Sequence, residues 1–135
     1  MKRAILLLAA LLLSACSSTD SDAQRVFQAA FGMEAPPANV APLHGYRMER
    51  RRWFVVSGAM WRLHLAGPEA KTFARQQWPD LRLGNRQVFF QGTQTPWFAP
   101  GRHIKYFTYF SPSNPAVTVM ETDTSEEVFI AYDAL

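Results

Sequence analysis

Few side chains in this 135-residue sequence have both the type and the spacing that chemistry requires. Cys16 is the only thiol, the most nucleophilic side chain once ionised, and being alone it forms neither an intrachain disulfide nor a cysteine metal site. His44, His64 and His103 are the only histidines, and no two stand at a ligand spacing such as four apart on a helix, so no metal site is expected. No serine occupies a Gly-x-Ser-x-Gly elbow, and Ser57 before Gly58 reads as a turn, so the chain is expected not to be an enzyme. What remains is charge. Arg47, Arg50, Arg51, Arg52 and Arg62 crowd one region, and arginine's planar fork suits phosphate and carboxylate alike. On a strand, Arg50 and Arg52 share one face and Arg51 takes the other. Arg50 and Arg52 are therefore the candidates for an anionic partner, with a buried, paired Arg51 behind them. The competing reading is a solvated strand paired with Glu121, Glu126 or Glu127.

Cys16 is positioned by what precedes it. Lys2 and Arg3 form a positive start, Ala4 to Leu13 is an unbroken apolar run, and small Ser14 and Ala15 follow, the pattern of a signal peptide over residues 1–15. A secretory signal cleaved without lipid would present the same small residues, and a retained helix could begin with the same run. That run falls short of the ~20 residues a membrane span needs. The tetrapeptide Leu13-Ser14-Ala15-Cys16 resembles the lipobox of bacterial lipoproteins. The resemblance implies that the Cys16 thiol receives a diacylglycerol, the preceding peptide bond is cut, and the new amine is acylated, with palmitate among the chains. These covalent lipids would be the only non-protein groups; no cofactor is expected. In Gram-negative members an aspartate after the cysteine retains the protein in the inner membrane. Ser17 therefore implies the outer membrane, with the domain on its periplasmic face and nucleic acid out of reach.

Removing the signal takes Lys2 and Arg3 with it, leaving 12 basic and 11 acidic residues. The remaining charge is segregated. Arg47 to Lys105 holds 11 basic and 3 acidic residues, and Tyr106 onward holds 5 acidic and no basic ones. Such asymmetry fits either a basic face seeking an anionic partner or cationic and acidic strands paired in one sheet. With 48% hydrophobic and 13% aromatic residues the chain can bury one core.

The remaining elements follow in order. Residues 16–22 read as a lipidated cysteine and a flexible polar tether, and 23–135 as a single globular domain. Asp22 caps a helix over Ala23 to Phe31 that Gly32 stops. Tyr46 to Val56 and Ala59 to Leu65 read as a hairpin about Ser57-Gly58, with Trp61, Leu63 and Leu65 facing a core and Arg62 and His64 opposite. Pro68 opens a second helix carrying Ala70, Phe73, Ala74 and Trp78, ended by Pro79. Arg86 to Gln91 is a short strand. Thr93 to Arg102 is a loop whose Trp97 and Phe98 either plug the core or face a ligand, the plug being preferred. Ile104 to Phe110 reads as a central strand, and Val117 to Glu121 with Val128 to Tyr132 as a closing hairpin. The order predicts an α+β fold: an antiparallel sheet of about five strands with one or two packed helices, after the signal helix.

The spacing of Phe31, Gly32, Pro36, Pro37 and Val40, then Pro96, Trp97, Pro100 and a final hairpin ending in Tyr132, is diffusely similar to small uncharacterised exported bacterial proteins. That likeness implies no activity. The expected function is a membrane-anchored, non-enzymatic interaction module of the cell envelope, of accessory, inhibitor or immunity type, meeting an acidic protein or an anionic envelope component. The alternative is a carrier of a small apolar ligand between sheet and helix, lined by Trp61, Trp97 and Tyr106.

Overall fold

The alternation of Trp61, Leu63 and Leu65 with Arg62 and His64 is realised as a long strand, β3 (Val55–Ala66), paired antiparallel with β2 (Ala41–Arg52). A computed structural model of the chain describes residues 17–84, 95–99, 106–123 and 125–134. The expected signal helix, Cys16 and the strand expected at Arg86 to Gln91 lie outside the described residues.

Asp22 caps α1 (Ala23–Phe31) by accepting from the Arg25 N–H at 2.9 Å, and Gly32, at φ 64°, ends it with its own N–H on the Gln28 carbonyl. The helix buries Val26 and Phe27 completely. Each contributes about 1.5–3 kcal/mol by leaving water. It can lie this close to the sheet because Gly45 faces it, where a Cβ would stand 2.9 Å from that of Val26. The second helix, α2 (Ala70–Gln77), buries Ala70, Phe73 and Ala74, and its last turn closes with the Trp78 N–H on the Ala74 carbonyl before Pro79. The turn that opens it needs glycine twice over: Gly67 sits at φ +126°, and a Cβ there would meet the Asn39 carbonyl oxygen at 2.1 Å.

The other strands are β1 (Ser17–Asp20), β4 (Arg82–Leu83), β5 (Tyr106–Phe110), β6 (Val117–Thr122) and β7 (Glu127–Ala134). They form one antiparallel sheet in the order β1-β2-β3-β7-β6-β5-β4. Both helices lie on one face, over Leu63, Leu65, Val117, Val119, Val128 and Ile130. An aromatic group seals this core: Phe31 meets Phe27, Phe73, Trp61 and Trp78 at centroid distances of 4.9–5.9 Å. The opposite face is smaller. There Met120, Phe129 and Ala131 lie beneath Phe98, which is 1% exposed, so the segment around Trp97 and Phe98 folds back as a plug.

The antiparallel sheet with two helices agrees with the expected class, but four expectations are corrected. Among the described residues the sheet already has seven strands, not about five. Ser17–Asp20, expected to be tether, pairs with β2 as an edge strand, its backbone groups finding ladder partners that a free tether would leave to water. Among the described strands, the one at Tyr106–Phe110 is next to last in the order rather than central, and Tyr106 and Phe107 are exposed. The hairpin turns at Trp53-Phe54, not at Ser57-Gly58. Arg52 pairs with Val55, and the register shifts by one residue between Arg50 and Arg51, so Ser57 is the extra residue of a bulge, its hydroxyl donating to the Arg50 carbonyl at 3.1 Å.

That turn has an unusual composition. Trp53 and Phe54 have φ values of 56° and 69°, the pattern of a type I′ turn, which favours Asn-Gly. A left-handed conformation costs a bulky side chain about 1–2 kcal/mol. The double substitution Trp53→Asn with Phe54→Gly is therefore expected to stabilise the fold by about 1–3 kcal/mol, read as a higher urea midpoint. A lower midpoint would show that the two aromatics support the fold.

Asp80 supplies a second test. Its carboxylate accepts from the Ser111 hydroxyl at 2.7 Å and the Ser113 N–H at 2.8 Å, tying the end of α2 to the β5–β6 turn. Hydrogen bonds from Ser113 and then Ser111 lower its pKa from 3.8 to about 2. A carboxyl depressed in the fold stabilises it above the unfolded pKa, and that contribution is lost as pH falls through about 2. Between pH ~4 and ~2 the wild-type midpoint should fall more steeply than that of Asp80→Asn. Parallel curves would detach Asp80 from acid stability.

Candidate functional site

The arginine run and the turn it enters form one feature. Arg50, Arg51 and Arg52 are all exposed, and beyond them Trp53, Phe54 and Val55 are 71%, 94% and 67% exposed, with Val56 also open to solvent. The tip projects because β7 pairs with β3 only from Ala59 onward, so among the described residues Val55–Gly58 have β2 alone as neighbour. Four residues of strand span roughly 13 Å.

The arginines divide as alternation requires. On the helix-bearing side, the buried Glu49 carboxylate accepts from Arg47 and, at 3.2 Å, from Arg51. Arg51 is paired as expected but lies at the surface, its side chain 54% exposed; the buried partner is Glu49. Arg50 and Arg52 make no ion pair among the described residues. The acidic residues expected to neutralise them are engaged elsewhere or away from them. Glu121 takes Arg75 at 2.8 Å and, by that bond, raises the guanidinium pKa above its ordinary value, while Glu127 bonds His64.

β1 brings the start of the described chain to the same place. Ser17 pairs with Arg50, and the register runs back to Asp20 opposite Arg47, so the chain enters the sheet from the tip end of β2. Cys16 itself lies outside the described residues. It is one peptide unit from Ser17, about 3.8 Å between Cα atoms.

The three residues expected to line a carrier cavity do not share one. Trp61 lies on the helix-bearing face in a groove of about 420 Å³ that also touches Phe31, Arg47, Trp78 and Tyr132. Trp97 lies on the opposite face, stacked on His44 at 5.2 Å, and Tyr106 is exposed at the start of β5, its register partner Thr122 also on that opposite face. The period of two decides this: Trp61 and the plug are separated by the thickness of the sheet.

Sequence spacing gave no sign of the histidine contact on that second face. His44 and His64 are cross-strand neighbours with Nδ1 atoms 3.1 Å apart, and His64 Nε2 is 3.0 Å from Glu127 Oε1. Phe129 stacks on His64 at 4.3 Å. In that contact one ring donates and the other accepts. Among the described residues no group of three or more His, Cys, Asp or Glu is arranged to hold a metal ion; His103 lies outside them. Beside these, Arg62 is buried against the Trp61 and Tyr132 carbonyls, Asp133 and the Phe98 ring.

No family model, no curated protein and no solved structure matches the chain.

The division of the arginines is testable by unfolding. Arg50→Gln with Arg52→Gln should change stability by less than about 1 kcal/mol, since both side chains are solvated. Glu49→Gln should cost about 1–3 kcal/mol, because it leaves Arg47 and Arg51 without their shared acceptor. Equal losses would mean that Arg50 and Arg52 hold the fold as well.

Proposed function

We propose that this chain is a bacterial lipoprotein of the outer membrane, anchored through acylated Cys16, whose periplasm-facing domain is a non-enzymatic interaction module of the envelope. The observation that carries the reading is the Leu13-Ser14-Ala15-Cys16 tetrapeptide at the end of a ten-residue apolar run, immediately ahead of the first strand. A thiol is the one side chain suited to thioether formation before the chain is cut, and two or three acyl chains bind a bilayer far more firmly than one. Among the described residues no helix is long and apolar enough to cross a membrane.

The partner meets the domain at Arg50 and Arg52, which are solvated, cationic and without an ion-pair partner among the described residues. Their guanidinium groups suit an anionic envelope component or an acidic protein. As a carrier, the domain would be left with the groove at Trp61 alone, since Trp97 and Tyr106 belong to the other face. The interaction module is therefore the reading we adopt.

Cys16→Ala is the direct test. The variant should lose radioactive palmitate labelling and accumulate as uncleaved or mislocalised precursor, while the wild type recovers with outer membrane on a density gradient. Normal labelling and maturation of the variant would end the lipoprotein reading; recovery of the wild type with inner membrane would end the sorting assignment alone.

A further inference from the structure

We propose that the β2–β3 hairpin tip is a second, lipid-contacting element. In this contact Trp53 and Phe54 enter the boundary between headgroups and acyl chains, and Arg50 and Arg52 hold the phosphates of anionic phospholipid in the bilayer that carries the Cys16 anchor. The inference rests on the lipoprotein reading for its choice of membrane. The contact itself rests on the tip.

Four observations converge on it. First, the most exposed large apolar side chains of the described chain are consecutive, Trp53, Phe54 and Val55. Single exposed apolar residues need no explanation, but a contiguous patch at a projecting tip marks a contact surface. Second, the two aromatics occupy positive-φ positions that favour asparagine and glycine, so folding does not select them. Third, Arg50 and Arg52 sit next to this patch without an acidic partner among the described residues. Aromatic residues beside arginines match the bilayer interface, where indole rings settle at headgroup level and guanidinium groups find phosphate. Fourth, the chain enters β1 at the tip end, with Ser17 opposite Arg50.

Distances decide between a bilayer and another macromolecule. Cys16 is about 3.8 Å along the chain from Ser17, and paired strands lie about 5 Å apart, so an acyl anchor holds the Arg50 level near the headgroups. The turn residues Trp53 and Phe54 stand roughly 7–10 Å further out along the hairpin, two to three residues beyond Arg50. That reach matches the ~5–10 Å by which interfacial apolar groups sink into the membrane. A tip tethered this closely meets its own bilayer before any diffusing protein.

The test uses the mature full-length protein, added to vesicles of phosphatidylglycerol with phosphatidylethanolamine, or of phosphatidylcholine, whose acyl chains carry bromine to quench nearby tryptophan. On anionic vesicles the wild type should be quenched, and Trp53→Phe should remove the quenched component, leaving Trp61, Trp78 and Trp97 bright. Arg50→Gln and Arg52→Gln should each lower the ratio of docked to undocked tip about fivefold. Raising salt from about 0.1 M to about 1 M should narrow the gap between wild type and variants, because the screening length falls from about 10 Å to about 3 Å. Phe54→Gly keeps the Trp53 reporter, suits the turn, and should reduce quenching without loss of stability.

Identical quenching in wild type and Trp53→Phe would overturn the proposal. So would a tip that stays in water on every vesicle yet cross-links to an envelope protein in cells in an Arg50- and Arg52-dependent way, since that outcome assigns it to an acidic protein. The mass of the mature chain separates this inference from the anchor. Acylated Cys16 with unquenched Trp53 sinks the tip contact alone, whereas quenched Trp53 on an unacylated chain sinks the anchor and leaves the contact standing.

Discussion

The register of the β2–β3 hairpin is the constraint on which the other features depend. Two residues in left-handed conformation reverse the chain, and one bulged serine shifts the pairing by a single step. A one-residue slip in a strand exchanges its two faces, so the bulge decides which side chains meet the helices. With it, Gly45 falls beneath α1, where a Cβ would crowd Val26, while Arg47, Glu49 and Arg51 share that face through the alternation of β2 itself. His44 is brought to His64, and Arg50 and Arg52 stay in solvent. β1 then adds to the free edge of β2 and carries the start of the described chain toward the tip.

The sheet is unusual in burying both faces with different chemistry. The helix side is aliphatic and aromatic, sealed by Phe31 and Phe73. The other side packs Phe98 and Phe129 together with charged and ionisable groups: Arg62 under the Phe98 ring, His64 against Phe129 and bonded to Glu127. A buried guanidinium is tolerable only when its donors are engaged, and Arg62 reaches two backbone carbonyls and Asp133. Replacing such buried ion pairs by apolar residues of equal volume is often neutral or stabilising; here Arg62 also lies 5.6 Å from the Phe98 ring of the plug. Among the described residues the outermost strands of the sheet, β1 and β4, are short, four residues and two, and short edge strands limit edge-to-edge association.

An anchor and an adjacent contact of opposite character would divide labour at a membrane. Acyl chains set residence time and leave orientation open, because a single attachment point allows rotation. The proposed contact, a projecting pair of aromatics beside arginines that have no ion pair among the described residues, would supply a second point and so restrict that rotation. The groove at Trp61 would then stand at a defined orientation above the lipid. Salt would act on the second point far more than on the first, since only the arginines depend on charge.

Much of this protein was legible in its residues because the determining interactions are local. Asp22 and Gly32 bound the first helix, Pro68 and Pro79 frame the second, and the closing strands β6 and β7 carry the expected β-rich runs. The antiparallel α+β character followed from the order of those elements, and Cys16 was singled out by its neighbours alone. The tertiary structure decided the register. A turn at Ser57-Gly58 agrees with local preference and would set His64 opposite Arg51; the fold instead places bulky aromatics in the turn, and local propensity gives no notice of that choice. The same limit hid the partner of each arginine, the role of Ser17–Asp20 as a strand, and the separation of Trp61 from Trp97 and Tyr106. Pairing between distant segments is set by which faces can be buried together, and that depends on the assembled sheet rather than on any stretch of sequence read by itself.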